Sequence, residues 1–310
     1  MLSRDSRDLL EQRLAEGRLA YEHYRVDEAR ALIAAAQTPA RHPLLEGRTG
    51  RCWRTAVTCH AALTVFEPES DSIVPRPVVI YMHGGGWVFG ELEAHRLLCA
   101  RLAARSGWVV ASVDYRLAPE HPFPAAYEDC IAALGWLRAN AGSLALDSQR
   151  VVLAGDSAGG TLAAAVAEHA AEAGIGLSGR ILIYPSLDQC TVYPSDSIDV
   201  PGMAVTGRTM AWFRSLYFPA AADRAGARAS PLTPGPDAAA APTLIISAGY
   251  DPLRDEAVEH AARCQARRAG ACTHEHYPGE LHGFLTVGPD FAASGHALAA
   301  MTGFLSRITD

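Results

Sequence analysis

The feature that most limits what this 310-residue chain can fold into is a rhythm. Short, nearly continuous apolar runs recur, separated by stretches of helical length. Pro77 to Met82, Trp108 to Val113, Val151 to Ala154, Ile181 to Tyr184 and Leu244 to Ser247 are such runs. Strands without polar alternation are buried on both faces, as in a parallel sheet. Between them Leu97 to Arg105, Ala125 to Ala139, Thr161 to Ala173 and Glu256 to Arg268 read as helices. This alternation predicts an α/β protein with a mostly parallel sheet covered by helices on both sides. Arg51 to Cys59 and Ala62 to Phe66 add two short strands in front. Cys272 to Tyr277 is expected as the last strand, an edge where pairing with a second copy would make a homodimer.

Two stretches break the rhythm. Ser6 to Gln37 predicts two helices, the first with Leu10 and Leu14 on one face, the second capped by Asp27. Leu187 to about Ala229 carries no strand signal but holds prolines, acids and the aromatic cluster Trp212, Phe213, Tyr217 and Phe218, as an insertion above the sheet would.

Composition narrows the chemistry. The 27 basic residues are all arginine, so no mechanism that needs a lysine is available: no phosphate-loop lysine, no Schiff base, no Ser-x-x-Lys site. With 34 acidic residues the net charge is −7, which argues against a nucleic-acid partner. No apolar run reaches the ~20 residues of a membrane span. The first residues alternate Arg4, Asp5, Arg7 and Asp8 without an apolar core, and the seven cysteines never form Cys-x-x-Cys. Reduced thiols in a cytoplasmic protein is the expectation.

The chemistry-bearing motifs sit at the ends of the apolar runs. Gly155-Asp-Ser157-Ala-Gly-Gly160 lies between a strand and a helix, the setting a nucleophile elbow needs. His83-Gly-Gly-Gly-Trp87 follows the strand ending at Met82, and its glycines free backbone N–H groups to face a developing oxyanion. The expected donors are the N–H groups of Gly84, Gly85 and Ala158. An acid and a histidine should follow the serine in that order. Asp251 and His282 fit, with Asp255 and Glu256 as rival acids and His260, His274 and His276 as rival bases. Asp255 and Glu256 read better as first-turn acids of a helix. His274 and His276 have the spacing of a two-histidine metal pair, but without a third ligand they read as a strand face. Gly174-Ile-Gly176-Leu-Ser-Gly179 matches a dinucleotide pattern in the wrong context, after a helix and before a strand.

Together these segments resemble the hormone-sensitive-lipase-like carboxylesterases of the α/β-hydrolase fold, in the Gly-Asp-Ser-Ala-Gly branch. Asp114-Tyr-Arg-Leu-Ala-Pro-Glu-His121, Asp251-Pro-Leu-Arg-Asp-Glu256 and His282-Gly-Phe284 add to the match, which runs from about Pro77 to Phe284. The resemblance implies a mostly parallel eight-stranded sheet with a helical cap. Residues 1–45 would give the N-terminal part of that cap, and 46–310 the catalytic domain with a cap insertion at about 187–229. It implies Ser157, Asp251 and His282 as the triad, with Gly84, Gly85 and Ala158 as oxyanion donors and no metal or cofactor. Trp87, Phe89, Tyr184, Trp212, Phe213 and Phe284 are candidates for an apolar pocket favouring short or aromatic esters. Asp114, Arg116 and Glu120 read as an ion-pair network supporting the oxyanion loop. The reaction expected is hydrolysis of a small-molecule ester through an acyl-enzyme. An amidase, formamidase or lactonase would use the same groups, and a non-catalytic receptor on this fold would be expected to lack an intact triad.

Overall fold

The computed structural model describes residues 1–70, 74–232, 241–267, 270–288 and 290–308. Among them one eight-stranded sheet organises the chain. Its strands are β1 (Gly50–Ala56), β2 (Ala62–Pro68), β3 (Arg76–Met82), β4 (Val109–Asp114), β5 (Leu146–Asp156), β6 (Gly179–Ile183), β7 (Thr243–Tyr250) and β8 (Cys272–Leu281). Their order across the sheet is β1-β2-β4-β3-β5-β6-β7-β8. β1 and β2 pair antiparallel and β2 runs antiparallel to β4; every other pairing is parallel. The apolar runs occupy the centre because only strands covered on both sides have no polar face to present.

The helices are α1 (Arg4–Ala15), α2 (Val26–Ala36), α3 (Glu93–Ser106), α4 (Ala125–Asn140), α5 (Ala158–Glu172), α6 (Gly207–Tyr217), α7 (Arg254–Arg267), the short α8 (Phe284–Val287) and α9 (Ala292–Arg307). Successive strand residues point to opposite faces. Ile80, Val113, Leu153, Leu182 and Ile245 therefore join a core with α4, α5 and α7. Val79, Val110, Val152, Ile183 and Ile246 join one with α3 and α9. Helix α7 ends its described part at Arg267, so the expected end at Arg268 lies outside the described residues.

One local expectation at the N-terminus needs correction. Asp27 does not cap α2: the chain enters the helix at Arg25, whose N–H donates to Glu28 at 2.9 Å, while Asp27 sits two residues past that cap and pairs with the Arg25 side chain. Leu10 and Leu14 do share a face of α1, both lying against Gly202, although Leu10 is buried and Leu14 is 52% exposed. The insertion contributes α6 and no strand. It meets the N-terminal segment through backbone and side-chain bonds: Tyr21 N–H to the Ala204 carbonyl at 3.2 Å, Arg13 Nε to Gly202 at 2.7 Å, and Thr206 Oγ1 to Glu22 at 3.1 Å. β8 is one edge of the sheet and β1 the other. Among the described residues no helix is long and apolar enough to cross a membrane.

Candidate active site

Three strand ends bring Ser157, Asp251 and His282 together. Ser157 lies between β5 and α5 with φ 54° and ψ −119°, a left-handed conformation that an L-residue holds only when its surroundings force it. The forcing comes from close packing: a methyl group at Gly159 would overlap the Met82 carbonyl, and one at Gly155 would overlap the Gly159 backbone. Asp251 follows β7 and is fully buried. Its Oδ1 accepts the Leu253 N–H at 2.8 Å, and its Oδ2 lies 2.8 Å from His282 Nδ1. His282, in the loop after β8, places Nε2 2.9 Å from Ser157 Oγ. A carboxylate on Nδ1 fixes the tautomer that leaves Nε2 free to accept a proton. The Tyr184 ring packs on the imidazole with centroids 4.9 Å apart.

The oxyanion turn departs from expectation at one residue. The Gly84 N–H donates to Asp156 Oδ1 at 2.8 Å, so it is already engaged and does not face a substrate. The N–H groups of Gly85 and Gly86 have no acceptor among the described residues. Both glycines have positive φ (112° and 60°), which turns these amides away from a strand-like path. Asp156 is buried and also accepts the Tyr81 hydroxyl at 2.7 Å. Burial opposes its charge, yet His95, Tyr81 and the Gly84 amide together hold its carboxyl below the usual range. The Tyr115 hydroxyl donates to the His83 carbonyl at 2.6 Å, bracing the same turn.

The six aromatic pocket candidates divide. Phe213 lies against Gly86, where an added methyl group would strike its ring. Phe89 packs edge-on to Phe213 and to Tyr21 at 5.4 and 5.0 Å, with Trp212 beside them. This group borders the oxyanion turn. Trp87 does not: it is fully buried and stacks on Tyr217 at 4.7 Å, with Phe218 at its edge. Phe284 is likewise buried, against Tyr184 and Tyr277, and Tyr184 supports the histidine. These three are packing residues, because their surface is spent on protein neighbours.

The rivals have other occupations. Asp255 accepts the Ser195 N–H at 2.9 Å, and Glu256 accepts the Leu187 and Asp188 N–H groups at 2.8 and 2.5 Å. Both stand in the first turn of α7 and tie down the inserted segment. His274 and His276 converge on Ser247 Oγ at 2.8 and 2.9 Å. His260 is buried beside Cys264 and bonds the Leu232 carbonyl. The charged segment after β4 forms separate ion pairs, Arg54 with Asp114, Arg116 with Asp129, and Arg30 with Glu120. The partners Arg54, Asp129 and Arg30 all lie outside the Asp114 to His121 segment, so its sequence could not name them. Asp156 was missed as well, although its place inside Gly-x-Ser was a usable signal.

Comparison with known proteins bears on the fold and the family. Residues 79–286 match the family model described as alpha/beta hydrolase fold. The carboxylic ester hydrolase LipN of Mycobacterium tuberculosis is 38% identical over 248 residues, 75% of this chain and 64% of LipN. The ethyl acetate hydrolase of Pseudomonas putida is 36% identical over 71% of this chain and 70% of its own length. The chain thus spans about two thirds of these relatives. Among solved structures, an esterase of Pyrobaculum calidifontis superposes with a TM-score of 0.86 at 31% identity, covering 100% of this chain and 99% of that one.

Proposed function

The chain belongs to the hormone-sensitive-lipase-like ester hydrolases of the alpha/beta hydrolase fold, and from that footing we propose that it cleaves carboxylic esters through a covalent acyl-enzyme on Ser157. The observation that carries the reading is the unbroken chain Asp251 Oδ2, His282 Nδ1, His282 Nε2, Ser157 Oγ, with links of 2.8 and 2.9 Å.

The steps follow from that chain. His282 Nε2 takes the Ser157 proton as Oγ attacks the ester carbonyl carbon, and Asp251 stabilises the imidazolium. Negative charge collects on the carbonyl oxygen. The donors proposed for it are the N–H groups of Gly85, Gly86 and Ala158, the last at the start of α5 where the helix dipole is also favourable. The tetrahedral intermediate expels the alcohol, which receives the proton from His282. Water then repeats the attack on the acyl-enzyme, releasing the carboxylic acid and restoring Ser157. The cap, in this reading, comprises residues 1–45 and the insertion at about 187–229. Phe213 over Gly86 crowds the acyl side and favours short acyl groups.

The test is covalent labelling by an organophosphate with initial rates on p-nitrophenyl esters of increasing acyl length. Labelling of the intact protein, its loss in Ser157→Ala and a fall in kcat/KM with chain length are expected. Absence of labelling would remove Ser157 as nucleophile. A matched ester and amide pair separates esterase from amidase, with the ester expected to be the faster substrate.

A further inference from the structure

We propose that Arg30, on cap helix α2, is a positioning residue for the oxyanion turn, an inference that rests on the esterase reading. Its guanidinium makes four bonds to two loops of the catalytic domain. Nε donates to the Val88 carbonyl at 3.0 Å and Nη2 to the Ala118 carbonyl at 2.8 Å, while Nη1 and Nη2 grip Glu120 at 2.6 and 2.9 Å. Val88 is part of the oxyanion turn itself: its N–H, like that of Phe89, donates to the Gly85 carbonyl, at 3.0 and 2.9 Å. Ala118 reaches the same turn from the other side, its N–H donating to the Trp87 carbonyl at 2.9 Å. Trp87 holds φ 62°, so the turn passes through three consecutive left-handed residues, Gly85, Gly86 and Trp87.

Such a turn does not keep its shape by local preference, because Trp87 pays a steric penalty there that glycine does not. It is held at its entry by Asp156 on the Gly84 N–H and Tyr115 on the His83 carbonyl. At its exit the fixed points are the Ala118 N–H and Arg30. Among the described residues Arg30 alone joins the Val88 and Ala118 carbonyls through one rigid planar group, which a lysine ammonium cannot reproduce. The Glu120 carboxylate aims the fork; the guanidinium beside it holds that carboxyl down to about 2. Removing Arg30 frees the exit of the turn and loosens the Gly85 and Gly86 amides. A loss confined to the oxyanion lowers kcat and leaves ground-state binding alone.

The experiment compares Arg30→Ala, Arg30→Lys and Glu120→Gln with the wild type on one p-nitrophenyl ester, with thermal melting as a control. Arg30→Ala is expected to lose about tenfold in kcat with KM within about twofold, a part of what deleting one oxyanion donor costs. Arg30→Lys should recover part of the rate. Glu120→Gln, which leaves both carbonyl bonds possible, should lose less than Arg30→Ala. Affinity for a boronic acid that forms a tetrahedral adduct on Ser157 should fall in step with kcat/KM, while affinity for the product carboxylate holds. Arg30 borders an open cavity of about 500 Å³, so millimolar guanidinium should restore part of the Arg30→Ala rate, with sodium chloride as the blank. An unchanged kcat, or a loss carried by KM with boronate and carboxylate affinities falling together, overturns the inference. If Arg30→Ala does not fold, the Lys and Gln variants carry the same comparison. Organophosphate labelling of the wild type is independent of all these outcomes and reports on the esterase reading alone.

Discussion

Acid should weaken this fold through a histidine that is buried without its proton. His83 opens the oxyanion turn and is fully inaccessible to solvent. Its Nδ1 lies 2.8 Å from the Gly84 carbonyl and so carries the hydrogen. The ring stacks on Tyr115 at 4.2 Å, 13° from parallel, and Nε2 has no partner among the described residues. A second proton would be buried and unsatisfied. Burial first, and then the nearby His95, lowers the His83 value from 6.5 to about 4. The unfolded chain therefore takes up the proton before the folded one. Stability from this group is complete above about pH 6.5 and declines as pH falls towards about 4, where the loss levels off. Each unit of displacement is worth about 1.4 kcal/mol, so at pH 5 the expected loss is about 2 kcal/mol. Urea unfolding followed by tryptophan fluorescence at pH 7.5 and pH 5 measures it. Other titrating groups contribute too, so the informative quantity is the difference between the wild type and His83→Asn, whose side-chain amide can still donate to the Gly84 carbonyl. The wild type should lose about 2 kcal/mol more than the variant over this interval. Equal losses would refute the argument, as would an NMR titration in which the His83 imidazole of the folded wild type gains its proton near pH 6.5.

Three further outcomes are expected. His260→Asn should blunt the acid loss in the same direction, because burial and then Arg180 lower His260 to about 3, and the pH 7.5 to pH 5 comparison reads it. Trp87→Ala should lower unfolding free energy by about 3 to 5 kcal/mol, the usual cost of removing a buried large aromatic, since Tyr217 loses its stacking partner; chemical denaturation measures it. Phe213→Ala should open the space over Gly86 and raise the ratio of kcat/KM on p-nitrophenyl hexanoate to that on the acetate. An unchanged ratio would remove Phe213 from the acyl side of the site.

Much of the architecture was legible in the chain because its signals are local. A strand covered on both faces has no polar side to show, so β3 to β7 announce themselves as apolar runs. The elbow is equally local: a turn as tight as that around Ser157 admits only small neighbours, and Gly155 and Gly159 are written beside it. Asp251 and His282 follow Ser157 in the expected order, but so do their rivals; the first-turn reading of Asp255 and Glu256, the strand-face reading of His274 and His276 and the family resemblance favoured the pair. Helix α9 was not anticipated, although Ala297, Leu298, Met301 and Phe304 recur at helical spacing and together join the second core.

What the sequence determined by itself was therefore the class of fold, the strand ends where the candidate site lies and the residues proposed as its triad. The tertiary structure decided which glycine amides remain free, because the Gly84 amide is taken up by Asp156, and that competition exists only once β3 and β5 lie side by side. It decided which aromatics face the site and which are core. It also decided that an arginine on the second helix closes on a carbonyl 58 positions away. Hydrogen bonds between distant segments leave no periodicity and no spacing rule in a sequence. They are set by where folding puts the two groups, and Arg30, one arginine among 27 basic residues, gains its meaning only from Val88, Ala118 and Glu120 beside it.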